Sequence, residues 1–171
     1  MSLIESLVLQ AVKGGSIPAE LEVRLKIPED RLAIYGLIAD LEPHRFRHLL
    51  IRLFDEEIAF REALWNGITE DNGNFGECIY HCAFLIHCCG EPSDSARLWK
   101  AQYLNQDIGE LEGFYFVGAG LDETLQYLND SHDSTSTDIA AYIQEWSNHL
   151  SRESIAEWQQ GRRQWLRQEA A

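Results

Sequence analysis

The sequence predicts an all-α fold, a single-domain helical bundle of about seven to nine helices spanning residues 1–171. Three observations predict it. Apolar residues recur at three- and four-residue spacing through most of the chain. Most Gly and Pro and the short polar runs fall between those stripes, although Gly36 lies within one. Only Phe114-Tyr115-Phe116-Val117 has strand composition, and no second clear strand exists to pair with it. The chain has 171 residues, enough for one domain with a substantial core. Its 45% hydrophobic content argues against disorder despite a formal charge of −14.

The elements follow in order. Leu3, Ile4, Leu7, Val8 and Ala11 repeat at helical spacing until Gly14-Gly15 stops them. Pro18 and Pro28 precede acidic residues, as Pro does in a first helical turn. Glu29 to Leu41 reads as a helix with Leu32, Ile34, Ile38 and Leu41 inward. Pro43 opens the next, with Phe46, Leu50, Leu53, Phe54, Ile58 and Leu64 as its inner face. Arg45, Arg47, Arg52 and Arg61 form its polar face, and Asn66-Gly67 ends it. Thr69 to Gly76 is a turn-rich loop.

Glu77 to Cys89 is apolar nearly all round and belongs at the centre, with Tyr80 and His87 on its polar edge. A turn at Gly90 leads to a helix over Asp94 to Leu104, with Ala96, Trp99 and Tyr103 at core spacing. These two helices form a hairpin similar to one tetratricopeptide unit, carried by Gly90, Ala96 and Trp99. Ile108 to Val117 reads as a short buried helix or an irregular segment. Asp122 to Leu128 is helical, and Asn129 to Thr137 reads as a mobile loop. Helices over Asp138 to Leu150 and Ser151 to Glu169 close the chain. The last carries Ile155, Trp158, Arg162 and Trp165 at helical spacing.

Charge is the strongest functional signal. From Glu62 to Ser151 there are fifteen Asp and Glu residues against two basic ones, Arg97 and Lys100. A field of one sign selects partners of the other, so phosphate polymers and anionic membranes are repelled and basic proteins attracted. No run of apolar residues approaches the roughly 20 of a membrane span. Met1 to Lys13 carries Glu5 and reads as an amphipathic helix rather than a secretory signal. The four cysteines sit within twelve residues, unlike a disulfide framework, which predicts a reduced, cytoplasmic protein.

Three constellations bear on chemistry. Cys78, His81, Cys82, Cys88 and Cys89 fall within about 120° of one helical wheel and could share a soft metal. A zinc site needs two separated ligand pairs, and only one helix is present, so core packing is the expected role. Gly118-Ala119-Gly120 begins like a dinucleotide-binding turn, but Glu123 stands where the third glycine belongs. Asp122 and Glu123 would repel a pyrophosphate there, so a backbone packing turn is expected. Asp55-Glu56-Glu57 reads as a solvated charge run. No catalytic residue, metal or cofactor is indicated.

The block Leu98-Trp99-Lys100-Ala101, Asn105, Asp107 and Gly118 to Leu128 resembles one found in small helical bacterial proteins. The overall profile is similar to that of immunity proteins paired with secreted bacterial toxins. That resemblance implies inhibition of a toxin, such as a nuclease, by covering its positively charged cleft with carboxylates. The expected contacts with a basic protein partner are Asp107, Glu110, Glu112, Asp130 and Asp133, in or beside irregular segments. Two other functions fit less of the sequence: a helical-hairpin adaptor, and a metal-dependent enzyme using the Cys/His cluster or carboxylates.

Overall fold

The computed structural model describes residues 2–105, 111–148, 150 and 152–170. Helix α1 (Leu3–Gly14) opens with a reciprocal cap, in which the Ser2 hydroxyl accepts from the Glu5 amide and the Glu5 carboxylate from the Ser2 amide. It closes on Gly15 at φ +65°, where a side chain would be strained. Helices α2 (Ala19–Arg24) and α3 (Pro28–Ala39) follow, and Pro28 takes the first helical position while Pro18 caps α2. A 3-10 turn over Pro43–Phe46 feeds α4 (Arg47–Trp65). Then come α5 (Cys78–His87), α6 (Asp94–Ala101), a 3-10 turn over Gly113–Val117, α7 (Leu121–Ser131), α8 (Ser134–Ser147) and α9 (Arg152–Glu169). No strand occurs among the described residues.

Helix α5 is the axis of the core. Every one of its residues except Tyr80 is buried, as the all-round apolar pattern requires. It packs on α3, α4, α9 and the 113–117 turn. His87 is therefore not on a polar edge: it is 2% exposed beneath Trp158 of α9, with ring centroids 5.0 Å apart. Trp158 also stacks on Phe114 at 5.1 Å and meets Phe84 and Tyr115 edge-on. The Arg162 guanidinium, one turn further on, lies 5.2 Å from the Tyr115 ring and 5.0 Å from that of Trp165. This cation–aromatic ladder clamps α9 onto α5 and the 113–117 turn.

The charge run at 55–57 is not uniformly solvated. Glu57 is fully buried on the same stripe as Leu50, Leu53, Phe54 and Arg61. Its carboxylate accepts from Arg31 Nε at 2.7 Å and from the Tyr35 hydroxyl at 2.7 Å. Arg31 Nη1 donates to the Leu25 carbonyl, so the ion pair is held with its main hydrogen-bonding capacity used. In α3 the inward residues are thus Arg31, Ile34, Tyr35 and Ile38, while Leu32 is half-buried and Leu41 is exposed. Arg61, expected on the polar face, is buried over the Tyr80 ring and reaches Glu77.

Two further boundaries differ from expectation. Helix α6 turns Asp94, Ser95, Leu98 and Ala101 inward, and Tyr103 lies outside it and exposed. Trp99 meets Phe116 and Tyr142 instead, so α6 leans on the 113–117 turn and α8 more than on α5. Helices α5 and α6 still touch across the Gly90 turn. Residues 129–137 are not a loop either, because α7 runs to Ser131 and α8 begins at Ser134. Their polar side chains serve as helix ends: His132 takes φ +54°, and Asp133 accepts from the Ser136 amide at 2.9 Å.

Candidate partner-binding face

Helices α7 and α8 pack side by side and build the face that the charge pattern singles out. In α7, Thr124 and Leu128 are buried and Leu121 and Leu125 pack against the core. The opposite strip exposes Glu123, Tyr127 and Asp130 at i, i+4 and i+7. In α8, Ile139, Ala140 and Ile143 point inward while Asp138 and Glu145 are exposed. These two adjacent helices thus expose carboxylates together with Tyr127, 40% exposed.

The carboxylates of this face form no ion pair among the described residues. Nine ion pairs occur among the described residues, and every carboxylate in them lies between Glu22 and Asp94. None comes from α7 or α8. Asp130 and Glu145 also sit in the last turns of their helices, where the macrodipole disfavours a negative charge. Neither position is explained by helix stability.

Of the expected contact residues, Glu112 and Asp130 are exposed. Glu112 immediately precedes the buried 113–117 turn. Asp133 is exposed but engaged as the α8 cap, and hydrogen bonds from the Ser136 hydroxyl and amide hold its carboxyl below the ordinary value. Asp107 and Glu110 lie outside the described residues. The sequence reading missed Glu123, Tyr127 and Asp138 as members of this face. Glu123 and Tyr127 lie opposite Leu121, Leu125 and Leu128 on α7, and Asp138 lies opposite Ile139, Ala140 and Ile143 on α8.

The glycine turn is a packing device. A Cβ at Gly118 would overlap the His87 carbonyl, so two backbones touch there. Gly120 takes φ +109°, and the Glu123 carboxylate folds over it, filling the space an anion would approach.

The Cys/His cluster is likewise placed in the core. Cys78, Cys82 and Cys89 are buried, Cys88 is half-buried, and all four are free thiols. Burial pushes the Cys88 thiol up to about 11 and that of Cys89 to about 12, and raises Cys78 and Cys82 as well. None is a nucleophile near neutral pH. Burial holds His81 at about 4 and His87 at about 4, both neutral. His81 lies against Trp165 at 4.1 Å, and His87 Nε2 is 2.8 Å from the Gln159 amide. Among the described residues no three His, Cys, Asp or Glu side chains gather as a metal site.

No protein-family model, curated protein or solved structure matches this chain. Among the described residues no helix is long and apolar enough to cross a membrane.

Proposed function

We propose that this chain is an immunity-type inhibitor that binds and neutralises a basic protein partner through the α7–α8 face. One observation carries the reading: the carboxylates of that face are exposed and unmatched, while those between residues 22 and 94 are repeatedly tied to arginines. Unmatched like charges add self-repulsion to the folded chain, whereas a cationic cleft gains a complementary surface from them. Tyr127 supplies the aromatic anchor such contacts favour, apolar on its ring and polar at its tip. The partner of this kind with most to lose is a toxin whose substrate is itself anionic, such as a nuclease. The role is binding, not catalysis.

Co-purification from cells that make the protein identifies the partner, and calorimetry measures the complex. Asp130→Lys combined with Asp138→Lys should weaken it by at least tenfold, since close interfacial charge pairs couple by roughly 1.5–7 kcal/mol. Tyr127→Ala should add to that loss. A complex that is indifferent to all three changes, or a captured partner that is acidic, would sink this reading.

A further inference from the structure

A second surface carries the opposite sign. Arg97 and Lys100, the two basic residues between Glu62 and Ser151, stand at i and i+3 on α6. Both line one cleft of about 490 Å³, and Arg47 of α4 joins them there. The cations of the most acidic stretch of the chain are thus gathered into a single depression. Ile58, Ala101 and Leu104 give the cleft an apolar wall, and Leu104 is 49% exposed although nothing in the fold requires it to be.

The two guanidinium groups are oriented from behind. Arg47 Nε and Nη2 donate to the buried Asp94 carboxylate at 3.0 and 2.6 Å. Arg97 Nη1 donates to Asp55 at 3.1 Å. Each arginine keeps further N–H groups for a ligand, because a guanidinium carries five. Lys100 is exposed and makes no ion pair among the described residues. Asp94 and Asp55 each hold one arginine, so three cations face two carboxylates and Lys100 supplies the unmatched positive charge, on a protein of charge −14. At physiological salt the screening length is about 8 Å, so a ligand inside the cleft is shielded from the carboxylates of α7 and α8 more than from Arg47, Arg97 and Lys100.

We infer that this α4–α6 cleft docks an acidic peptide segment of a partner protein, its carboxylates on Arg47, Arg97 and Lys100 and a neighbouring aliphatic side chain on Leu104 and Ile58. Two features select a peptide over a small anion. The cleft opens along the α6 surface, whereas small-molecule sites enclose most of their ligand. Its apolar wall lies beside the cations, which suits alternating acidic and aliphatic side chains. No aromatic side chain lines it, so nothing there stacks a nucleobase.

The test is fluorescence anisotropy with a labelled peptide of alternating Glu and Leu, its Gln-for-Glu counterpart, and inorganic phosphate as competitor. The Glu peptide should bind saturably, and Arg97→Glu with Lys100→Glu should weaken it about tenfold or more. Lys26→Glu with Arg45→Glu makes the same change in net charge outside the cleft and should leave binding within about twofold. Lys100→Glu alone breaks no ion pair among the described residues, so it reads the cleft even if the double variant is destabilised. Equal losses in both double variants, equal binding of the Gln peptide, or no saturable binding would overturn the inference. Displacement of the peptide by low phosphate concentrations would also overturn it, assigning the cleft to a simple oxyanion.

Discussion

Truncating Glu57 leaves the Arg31 guanidinium charged in the core, with the Tyr35 hydroxyl also deprived of its acceptor. Glu57→Ala should cost about 3–5 kcal/mol in urea unfolding, the scale for stranding a buried charge. Replacing both partners, Arg31→Met with Glu57→Leu, should recover most of that loss, because two desolvated ions vanish together. A double variant no more stable than Glu57→Ala would show that the pair contributes net stability. Leu85 is 1% exposed in the middle of α5, and Leu85→Ala should cost about 2–5 kcal/mol. The buried imidazoles set the acid limit. His81 and His87 are held at about 4, against about 6.5 in an unfolded chain. The unfolded chain therefore takes up protons in that window and the native protein does not. Their contribution is complete above about pH 6.5, is lost as pH falls through the window, and is flat below about pH 4; each is worth about 3 kcal/mol. Unfolding free energy measured from pH 7 to 4 should fall steeply in the native sequence and less in His87→Gln.

At the scale of elements, α7 and α8 separate what folds the chain from what it is proposed to do. Asp133 belongs to the first: as the α8 cap, Asp133→Ala should cost about 1 kcal/mol. Asp130 belongs to the second. It sits in the last turn of α7, so Asp130→Lys should stabilise the helix by about 0.3–1 kcal/mol while weakening partner binding. Thermal melts and calorimetry on the same variant check both signs, and a loss of stability would return Asp130 to a structural role. Most elements were legible in the sequence because their apolar stripes and Gly or Pro stops agree, as at Gly15 and Asn66-Gly67. The central place of α5 was legible for the same reason. The illegible parts share one cause: polar residues used against their usual environment. Arg31 and Glu57 continue the apolar stripes of α3 and α4 at i, i+3 and i+4, but only their mutual contact makes that position tolerable. His87 was misplaced because an imidazole under Trp158 needs a partner 72 residues away, Gln159, which no local pattern announces. Residues 129–137 read as a loop because Ser, Thr and Asp favour loops and helix caps alike, and here they cap. Of the candidate face, its sign and Asp130 were legible, and the pairing of Asp130 with Glu123 and Tyr127 on one strip was passed over.

Over the whole molecule the charge is divided by function of the chain rather than spread. Residues 101–151 hold nine carboxylates and no Lys or Arg, so they supply −9 of the −14. Residues 1–100 are acidic too, but their arginines reach back to carboxylates on neighbouring helices, as Arg47 does to Asp94 and Arg97 to Asp55. Six of those nine, Asp122, Glu123, Asp130, Asp133, Asp138 and Glu145, lie in α7, α8 or the turn between them, and none is in an ion pair among the described residues. Such a field acts on encounter before contact, raising the association rate with a basic partner at low salt and fading as the screening length shortens. If the α7–α8 face is the contact, stopped-flow association should slow by about tenfold or more between low and physiological ionic strength, while dissociation changes little. The variant carrying Asp130→Lys and Asp138→Lys should associate more slowly at low salt and show a flatter salt dependence. Lys26→Glu with Arg45→Glu adds negative charge elsewhere and should preserve the steep dependence. An association rate insensitive to salt in the native protein would mean that the acidic face keeps copies apart in solution, and that the partner is met on an apolar surface instead.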